Sequence, residues 1–178
     1  FNGLKGQGLL IIKNIQNIEP VVHGGGQEYG LRSGTVNLPM AVSMVKSIKL
    51  TMGRLDEARR KLNKMNQSVR TFLEEFRGVY INSPKDSAPQ IINVSFPGVK
   101  GEVLVNAFSK HGVMISTTSA CSSKRGKLNE VLLAMGVPDA RIEGSIRISM
   151  GVHTTEEDIQ RFKEVFEQVY EEVKELLK

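Results

Sequence analysis

Cys121 is the only cysteine of the sequence and its one candidate for thiol chemistry. It lies in residues 116–126, a run of small and polar side chains with the composition of a loop, whereas buried structural cysteines usually lie on apolar stripes. Lys124 and Arg125 follow it, and cationic neighbours favour the thiolate, which is the nucleophilic form. On these grounds alone, a reactive and a structural cysteine are about equally well supported.

Arg147 is a second candidate, because it stands between Ile146 and Ile148 in a segment that alternates like a strand. A central position in a sheet would turn its guanidinium group away from the hydrophobic face, toward a cleft or solvent. Arginine holds a carboxylate through two parallel hydrogen bonds, which suits the anchoring of an amino-acid substrate. On the evidence of this segment alone, a surface arginine without a function, on a half-exposed strand, is somewhat better supported than a substrate-binding one.

Residues 23–35 form a glycine-rich segment with donors that suit a phosphate group. The glycines after His23 permit either a phosphate-binding turn or an ordinary tight turn. Residues 32–35 supply a cation, two hydroxyl groups and a flexible backbone, and they end at Thr35 just before a helix start predicted at Asn37.

The apolar pattern predicts the elements that must position these residues. A buried-type strand is expected at residues 9–12, and apolar residues at steps of three and four predict a long helix from Leu55 to Phe76. Gly53 separates that helix from the one before it, so a domain boundary is expected between about Thr51 and Leu55. Residues 1–51 and 52–178 are therefore assigned to different domains.

The second domain is predicted to combine short strands with helices. Strands are expected at residues 79–82, 90–96, 113–115 and 145–149, and helices at residues 101–111 and 128–135. The last helix is expected to open with a capping box at Thr154–Glu157. This alternation predicts an α/β domain in which a small sheet is covered by helices.

Composition excludes several classes of protein. The chain has 178 residues, 40% of them hydrophobic and 24% charged, as in a globular domain. Its longest apolar runs are too short to cross a bilayer, so a cytoplasmic location and no membrane partner are expected. One cysteine excludes an internal disulfide, and three scattered histidines give no metal-ligand spacing, so no metal is expected.

The net charge of +5 does not by itself indicate a nucleic-acid partner. Basic residues alternate with Glu and Asp along the predicted helices, and only 6% of the chain is aromatic, with no Trp. Solvated helix faces explain these charges better than a nucleic-acid surface does.

Four short segments stand out together: HGGGQE at residues 23–28, RSGT at 32–35, SACS at 119–122 and SIRISMG at 145–151. In order and spacing, over essentially the whole chain, they resemble cysteine desulfurases of the NifS and IscS type, which are class V aminotransferase relatives. The resemblance implies the C-terminal part of a fold type I transferase that depends on pyridoxal phosphate. Residues 1–51 would end the large cofactor-binding domain, and residues 52–178 would form the small domain.

The resemblance also implies the chemistry of three residues. In that family pyridoxal phosphate, bound to a lysine, activates free L-cysteine, and an active-site thiolate takes its sulfur, leaving L-alanine and an enzyme persulfide. Cys121 matches the thiolate, and Arg147 matches the arginine that binds the substrate carboxylate. Thr35 matches the threonine that reaches the cofactor phosphate of the neighbouring subunit, which implies a homodimer.

The cofactor lysine of the family is expected just upstream of Phe1. Lys5 belongs to the glycine loop of that motif and does not match the cofactor lysine. The 178 residues alone are therefore expected to be inactive. The implied partners are sulfur-acceptor proteins, either an iron–sulfur scaffold or a tRNA-thiolation enzyme, the second because residues 117–124 are similar to that branch of the family.

Two alternatives remain open at this point. A selenocysteine lyase or another aminotransferase-like enzyme would stay active after Cys121→Ala, whereas a desulfurase would lose activity toward cysteine. A non-catalytic interaction module would bind acceptor proteins without any cofactor.

Overall fold

The computed structural model describes residues 3–14, 16, 18–117 and 129–177. The chain divides into two compact units, Phe1–Leu55 (unit 1) and Asp56–Lys178 (unit 2). This division falls after Leu55, at the end of the interval in which the sequence places the domain boundary. The assignment of the two units to a large and a small domain stays a prediction.

The main element of unit 1 is helix α1, Leu38–Met52. It begins where the sequence predicts, because the Asn37 side chain accepts a hydrogen bond from the Met40 N–H and Pro39 occupies the first turn. The strand predicted at residues 9–12 is wrong. Among the described residues of unit 1, β-type pairing is confined to a bridge between Val22 and Arg32, and a strand needs a paired neighbour for its N–H and C=O groups.

Unit 2 contains a four-stranded antiparallel sheet. Its strands are β1 (Tyr80–Ile81), β2 (Ile91–Ser95), β3 (Ser116–Thr117) and β4 (Ser145–Ser149), in the spatial order β1-β2-β4-β3. The prediction of β4 is confirmed, and those of β1 and β2 are slightly too long. The strand expected at residues 113–115 is displaced to Ser116–Thr117, because the partner residues in β4 decide which part of an extended segment forms the ladder.

In the part of the chain that the structure describes, five α-helices accompany the sheet: α2 (Leu55–Leu73), α3 (Gly101–Lys110), α4 (Glu130–Ala134), α5 (Asp139–Glu143) and α6 (Glu156–Val173), and a short 3-10 helix, Lys174–Leu176, follows α6. The capping box of α6 lies one residue later than predicted, between Thr155 and Asp158. Thr154 instead accepts a hydrogen bond from the Gly151 N–H through its hydroxyl oxygen. The short helix α5 is not foreseen from the sequence, because it is too brief to show a helical period.

The hydrophobic core of unit 2 covers one face of the sheet. Ile92, Val94 and Phe96 are fully buried there, as the alternation of β2 predicts, and they belong to one apolar cluster with side chains of α2, α3 and α6. Phe166 of α6 lies at the centre of this cluster, in ring contact with Phe72, Phe76, Phe96, Phe108 and Phe162. The other face of the sheet therefore carries the polar residues of β2 and β4.

None of the helices in the described ranges combines the length and the apolar character that crossing a bilayer requires.

Candidate functional site

Arg147 occupies the middle of β4 on the polar face of the sheet. Its side chain is exposed, whereas Ile146 and Ile148 on either side of it are buried in the core. The guanidinium group is thus turned away from the core, as the alternation of the sequence predicts. Within the part of the chain that the structure describes, no hydrogen bond or ion pair engages this group, so its donors are free for a ligand.

Asn93 of β2 lies directly opposite Arg147. The Phe96 N–H donates to the Gly144 carbonyl (2.9 Å), which makes those two residues a hydrogen-bonded pair. Because hydrogen-bonded and non-hydrogen-bonded pairs alternate along an antiparallel ladder, Asn93 and Arg147 form a pair of the second kind. Such pairs have Cα atoms only about 4.5 Å apart, so the side chains of Asn93 and Arg147 are close neighbours.

Ser116 of β3 lies beside Arg147 on its other side. Asn93, Arg147 and Ser116 therefore form a row across three neighbouring strands on the polar face, which we call the polar row. Cys121 follows Ser116 in the chain but lies outside the described residues.

The amide of Asn93 is buried and hydrogen-bonded at both ends. Its Oδ1 accepts from Asn82 Nδ2 (2.6 Å), and its Nδ2 donates to the Ile146 carbonyl (3.0 Å). The Oδ1 of Asn82 in turn accepts from Arg141 Nη2 (2.6 Å). A continuous hydrogen-bonded chain thus runs from Arg141 of α5 to the backbone next to Arg147.

The sequence did not predict a role for Asn82, Asn93 or Arg141. The alternation of β2 contains a signal for Asn93, because it places this residue on the polar face. No comparable signal exists for Arg141, since its neighbours in space come from a distant part of the chain.

Thr35 is exposed at the end of the glycine-rich segment in unit 1. The segment is fixed by internal hydrogen bonds: Ser33 Oγ donates to the Val22 carbonyl (3.1 Å), and the Gly34 N–H donates to Gln27 Oε1 (3.2 Å). Gly24 has a φ of +154°, and a Cβ atom there would lie 2.9 Å from the Ser33 side chain. The glycine is therefore needed for close packing, and the loop presents the Thr35 hydroxyl just before α1.

The predicted site residues thus fall in different parts of the chain. Thr35 lies in unit 1 and Arg147 in unit 2. Cys121, with Lys124 and Arg125, lies outside the described residues. The structure brings Arg147 together with Asn93 and Ser116, two residues that had no predicted role.

Comparison with known proteins identifies the family. The model of the family "Aminotransferase class-V" matches residues 1–162, which is most of the chain. The chain belongs to the aminotransferase class-V family. Its similarity to curated members is broad: it is 37% identical to the cysteine desulfurase IscS of Clostridium botulinum over 99% of its length, and 36% identical to that of Dictyoglomus turgidum over 98%.

Solved structures agree with this assignment. A structure described as a NifS-like protein is 34% identical, has a TM-score of 0.72 and covers 89% of this chain, with 40% of the other chain covered. A NifS-like protein from Rickettsia africae is 27% identical with the same TM-score of 0.72 over 86% of this chain, and again 40% of the other. The predicted NifS/IscS resemblance and the fold of type I pyridoxal phosphate enzymes are confirmed.

The chain spans 45% of the length of the two curated relatives. Membership of the class V family implies pyridoxal phosphate as cofactor. The described residues fit one part of this group: the exposed Thr35 hydroxyl, on a loop held by its own hydrogen bonds, suits a phosphate oxygen. That the cofactor lysine precedes Phe1 stays a prediction.

Proposed function

We propose that this chain is the C-terminal part of a cysteine desulfurase, which removes sulfur from L-cysteine and leaves it as a persulfide on Cys121. The observation that carries the proposal is the polar row. It presents an unengaged guanidinium group beside β3, the strand that leads into the segment with the only cysteine. Class V membership and the NifS/IscS character of the relatives support the same reaction.

Arg147 binds the substrate carboxylate in this proposal. Its guanidinium group forms two parallel hydrogen bonds to the two carboxylate oxygens, which fixes the orientation of the amino acid as well as its position. The polar face of the sheet is the surface on which the substrate lies, because the opposite face is filled by the core.

Cys121 accepts the sulfur. Its thiolate attacks the sulfur of the bound cysteine, so that an S–S bond forms and the substrate C–S bond breaks. The electron pair of the broken bond stays on the substrate carbon, which takes up a proton and becomes the methyl group of alanine. When bound, pyridoxal phosphate supplies the electron withdrawal that activates the substrate, a chemistry that no protein side chain provides.

The remaining parts of the proposal concern the assembly. The Thr35 hydroxyl donates a hydrogen bond to the cofactor phosphate of a neighbouring subunit, so the working enzyme is a homodimer. The persulfide passes to a sulfur-acceptor protein, either an iron–sulfur scaffold or a tRNA-thiolation enzyme, in the cytoplasm. The loop that the sequence predicts around Cys121 suits this task, because the same sulfur must visit the substrate and then an acceptor.

The test is intact mass spectrometry of the complete gene product, loaded with pyridoxal phosphate and exposed briefly to L-cysteine before alkylation. We expect a mass gain of one sulfur atom on Cys121 together with an equivalent amount of alanine. The variant Cys121→Ser serves as the matched control and should gain no sulfur, while binding cofactor as the wild type does.

Two outcomes would contradict the proposal. Alanine formation that persists in Cys121→Ser would indicate a lyase, such as a selenocysteine lyase, that does not use this thiol. Neither alanine nor persulfide in a protein that binds acceptor proteins would indicate a non-catalytic interaction module.

A further inference from the structure

The peptide group between Ser33 and Gly34, directly before Thr35, is hydrogen-bonded by side chains at both of its polar atoms. Its carbonyl, on Ser33, accepts a hydrogen bond from Arg32 Nη1, and its N–H, on Gly34, donates to Gln27 Oε1 (3.2 Å). Because a peptide group is planar, holding its two polar atoms fixes the orientation of the whole plane.

This orientation is not determined by the backbone at Gly34 itself. Gly34 has a φ of +114°, and glycine adopts positive and negative φ about equally readily. The segment before it is held by the bridge between Val22 and Arg32 and by the hydrogen bond from Ser33 Oγ to the Val22 carbonyl (3.1 Å). Thr35 makes no hydrogen bond of its own among the described residues. Its position relative to the glycine-rich loop therefore depends on how the peptide group before it is held.

Gln27 is brought to this peptide group by an unfavourable turn that ends at Gly30. Glu28 (φ 52°, ψ 46°) and Tyr29 (φ 58°, ψ 29°) both have left-handed backbone conformations in the turn. Two successive residues with side chains are uncommon in this region, and such conformations persist where the surrounding structure holds them, often at functional sites. The turn returns the Gln27 side chain toward Gly34, and this points to a role for their contact.

Gly25 makes room for the Gln27 side chain. A Cβ atom at Gly25 would lie 2.6 Å from Gln27 Oε1, the atom that accepts the hydrogen bond from Gly34. A backbone N–H can only donate, so this oxygen, and not the amide nitrogen of Gln27, must face Gly34. The contact between Gln27 and Gly34 thus depends on the absence of a side chain at Gly25.

We propose that Gln27 is a positioning residue for Thr35. It holds the peptide group between Ser33 and Gly34, with Arg32 on the other side, and so keeps the Thr35 hydroxyl in place to donate to the phosphate of pyridoxal phosphate. The inference rests on the proposed function, because that proposal assigns Thr35 to the cofactor phosphate.

The test is equilibrium binding of pyridoxal phosphate to the complete gene product, prepared without cofactor and followed by absorbance. Gln27→Met keeps the size of the side chain and removes the acceptor, and because Gln27 is exposed the change leaves the core intact. We expect the Kd for pyridoxal phosphate to rise about threefold to tenfold, as the loss of one hydrogen bond predicts. Pyridoxal, which lacks the phosphate, should bind to Gln27→Met as it binds to the wild type.

Thr35→Val shows whether Gln27 acts through the Thr35 hydroxyl. Valine is close to threonine in size but cannot donate, so the Kd for pyridoxal phosphate should rise at least as much as in Gln27→Met. In a Thr35→Val background, the further change Gln27→Met should have no effect, since the two residues act through one interaction. The inference is overturned if the two effects multiply, or if Gln27→Met binds the cofactor as the wild type does while Thr35→Val binds it more weakly.

Gly25→Ala disturbs the same contact without a change at Gln27. The φ of Gly25 is not positive, so alanine fits the backbone, and its methyl group displaces the flexible Gln27 amide from Gly34. This variant should raise the Kd as Gln27→Met does. Gly26→Ala is the matched control, because Gly26 has a φ of −80° and a Cβ atom there meets nothing within 4 Å. Equal Kd values for the two alanine variants would also overturn the inference.

Failure of this inference can be distinguished from failure of the proposed function. If Thr35→Val binds pyridoxal phosphate as the wild type does, Thr35 does not contact the phosphate, and the inference falls together with that part of the proposed function. A wild-type protein that does not bind the cofactor refutes both. A wild-type protein that binds it but forms no persulfide on Cys121 refutes the proposed reaction, while the Kd values still decide the role of Gln27.

Discussion

At the scale of single residues, the proposed substrate site depends on a contrast between Arg147 and the polar groups around it. Asn93 and Asn82 use their amide groups on each other and on the backbone. Arg147 is exposed and unengaged among the described residues. Structural polar groups are satisfied within the fold, and a group that is left free on a rigid strand is available to a ligand.

Arg147→Lys tests the geometry of carboxylate binding. Lysine keeps the charge but loses the planar pair of donors, so we expect the KM for cysteine in the complete enzyme to rise about tenfold, equivalent to one weakened charge-assisted hydrogen bond. The melting temperature should stay within about one degree of wild type, because Arg147 is exposed and makes no internal contact that the change removes. An unchanged KM would argue against Arg147 as the carboxylate ligand.

At the scale of elements, β4 can approach β2 only because a glycine precedes it. A Cβ atom at Gly144 would lie 2.2 Å from the Phe96 carbonyl oxygen and 2.7 Å from that of Val99. Both obstacles are backbone atoms, which cannot move aside as a flexible side chain would. The register that sets Asn93 opposite Arg147 therefore depends on the absence of a side chain at this position.

Gly144→Ala should destabilise the protein by about 3 kcal/mol, as overpacking against backbone does. Chemical unfolding of the 178-residue chain measures the loss directly. Gly151→Ala is the matched control, because a Cβ atom there meets nothing within 4 Å, and its free energy of unfolding should change by less than about 0.5 kcal/mol. Equal stability of the two variants would contradict the close approach of Gly144 to the loop that follows β2.

Helices α2 and α6 are joined at their exposed side by an ion pair between Lys64 and Glu156 (2.6 Å). The hydrogen bond and the charge of Lys64 lower the pKa of Glu156 below its usual value of 4.5. A lowered pKa in the folded state means that the stabilisation is present above the pKa of the unfolded chain and is lost as the pH falls through the folded-state pKa. Because both side chains are exposed, the effect is small and is screened by salt.

Glu156→Gln should therefore lower the melting temperature slightly at neutral pH and low salt, and the difference from wild type should vanish at a pH below the lowered pKa of Glu156. Thermal denaturation at both pH values, with and without added salt, measures this. A difference that persisted in acid or in high salt would show that the glutamate stabilises α6 through something other than its charge.

At the scale of the whole molecule, the two units differ in how much apolar surface they bury. Every buried hydrophobic residue among those described lies in unit 2. Helix α1 of unit 1 exposes several large apolar side chains, namely Leu38, Val42, Val45, Leu50 and Met52. Because burial of apolar surface supplies most of the stability of a fold, unit 1 should be much the less stable part of this chain.

Hydrogen–deuterium exchange of the 178-residue chain tests this difference. Amides of α1 should exchange fast, whereas those of β2, α2 and α6 should exchange only through global unfolding of unit 2. Protection in α1 equal to that in α6 would show that unit 1 is stabilised by something other than the burial of its apolar side chains.

Features that depend on local pattern can be predicted without the structure. The alternation of residues 145–149 gave β4 and the outward direction of Arg147, and Asn37 and Pro39 gave the start of α1. Short segments in a fixed order indicated the NifS/IscS family, since chemistry constrains the types and spacing of a few residues.

The residues that surround Arg147, by contrast, are set by tertiary contacts. Asn93 lies opposite it because of the register of β2 on β4, and Arg141 reaches Asn82 because α5 packs beside β1 and β2. The same dependence on distant partners explains the errors at residues 9–12 and 113–115, where an extended apolar pattern was present. Strand pairing and hydrogen bonds between remote segments join parts of the chain whose local sequence carries no mark of their partner.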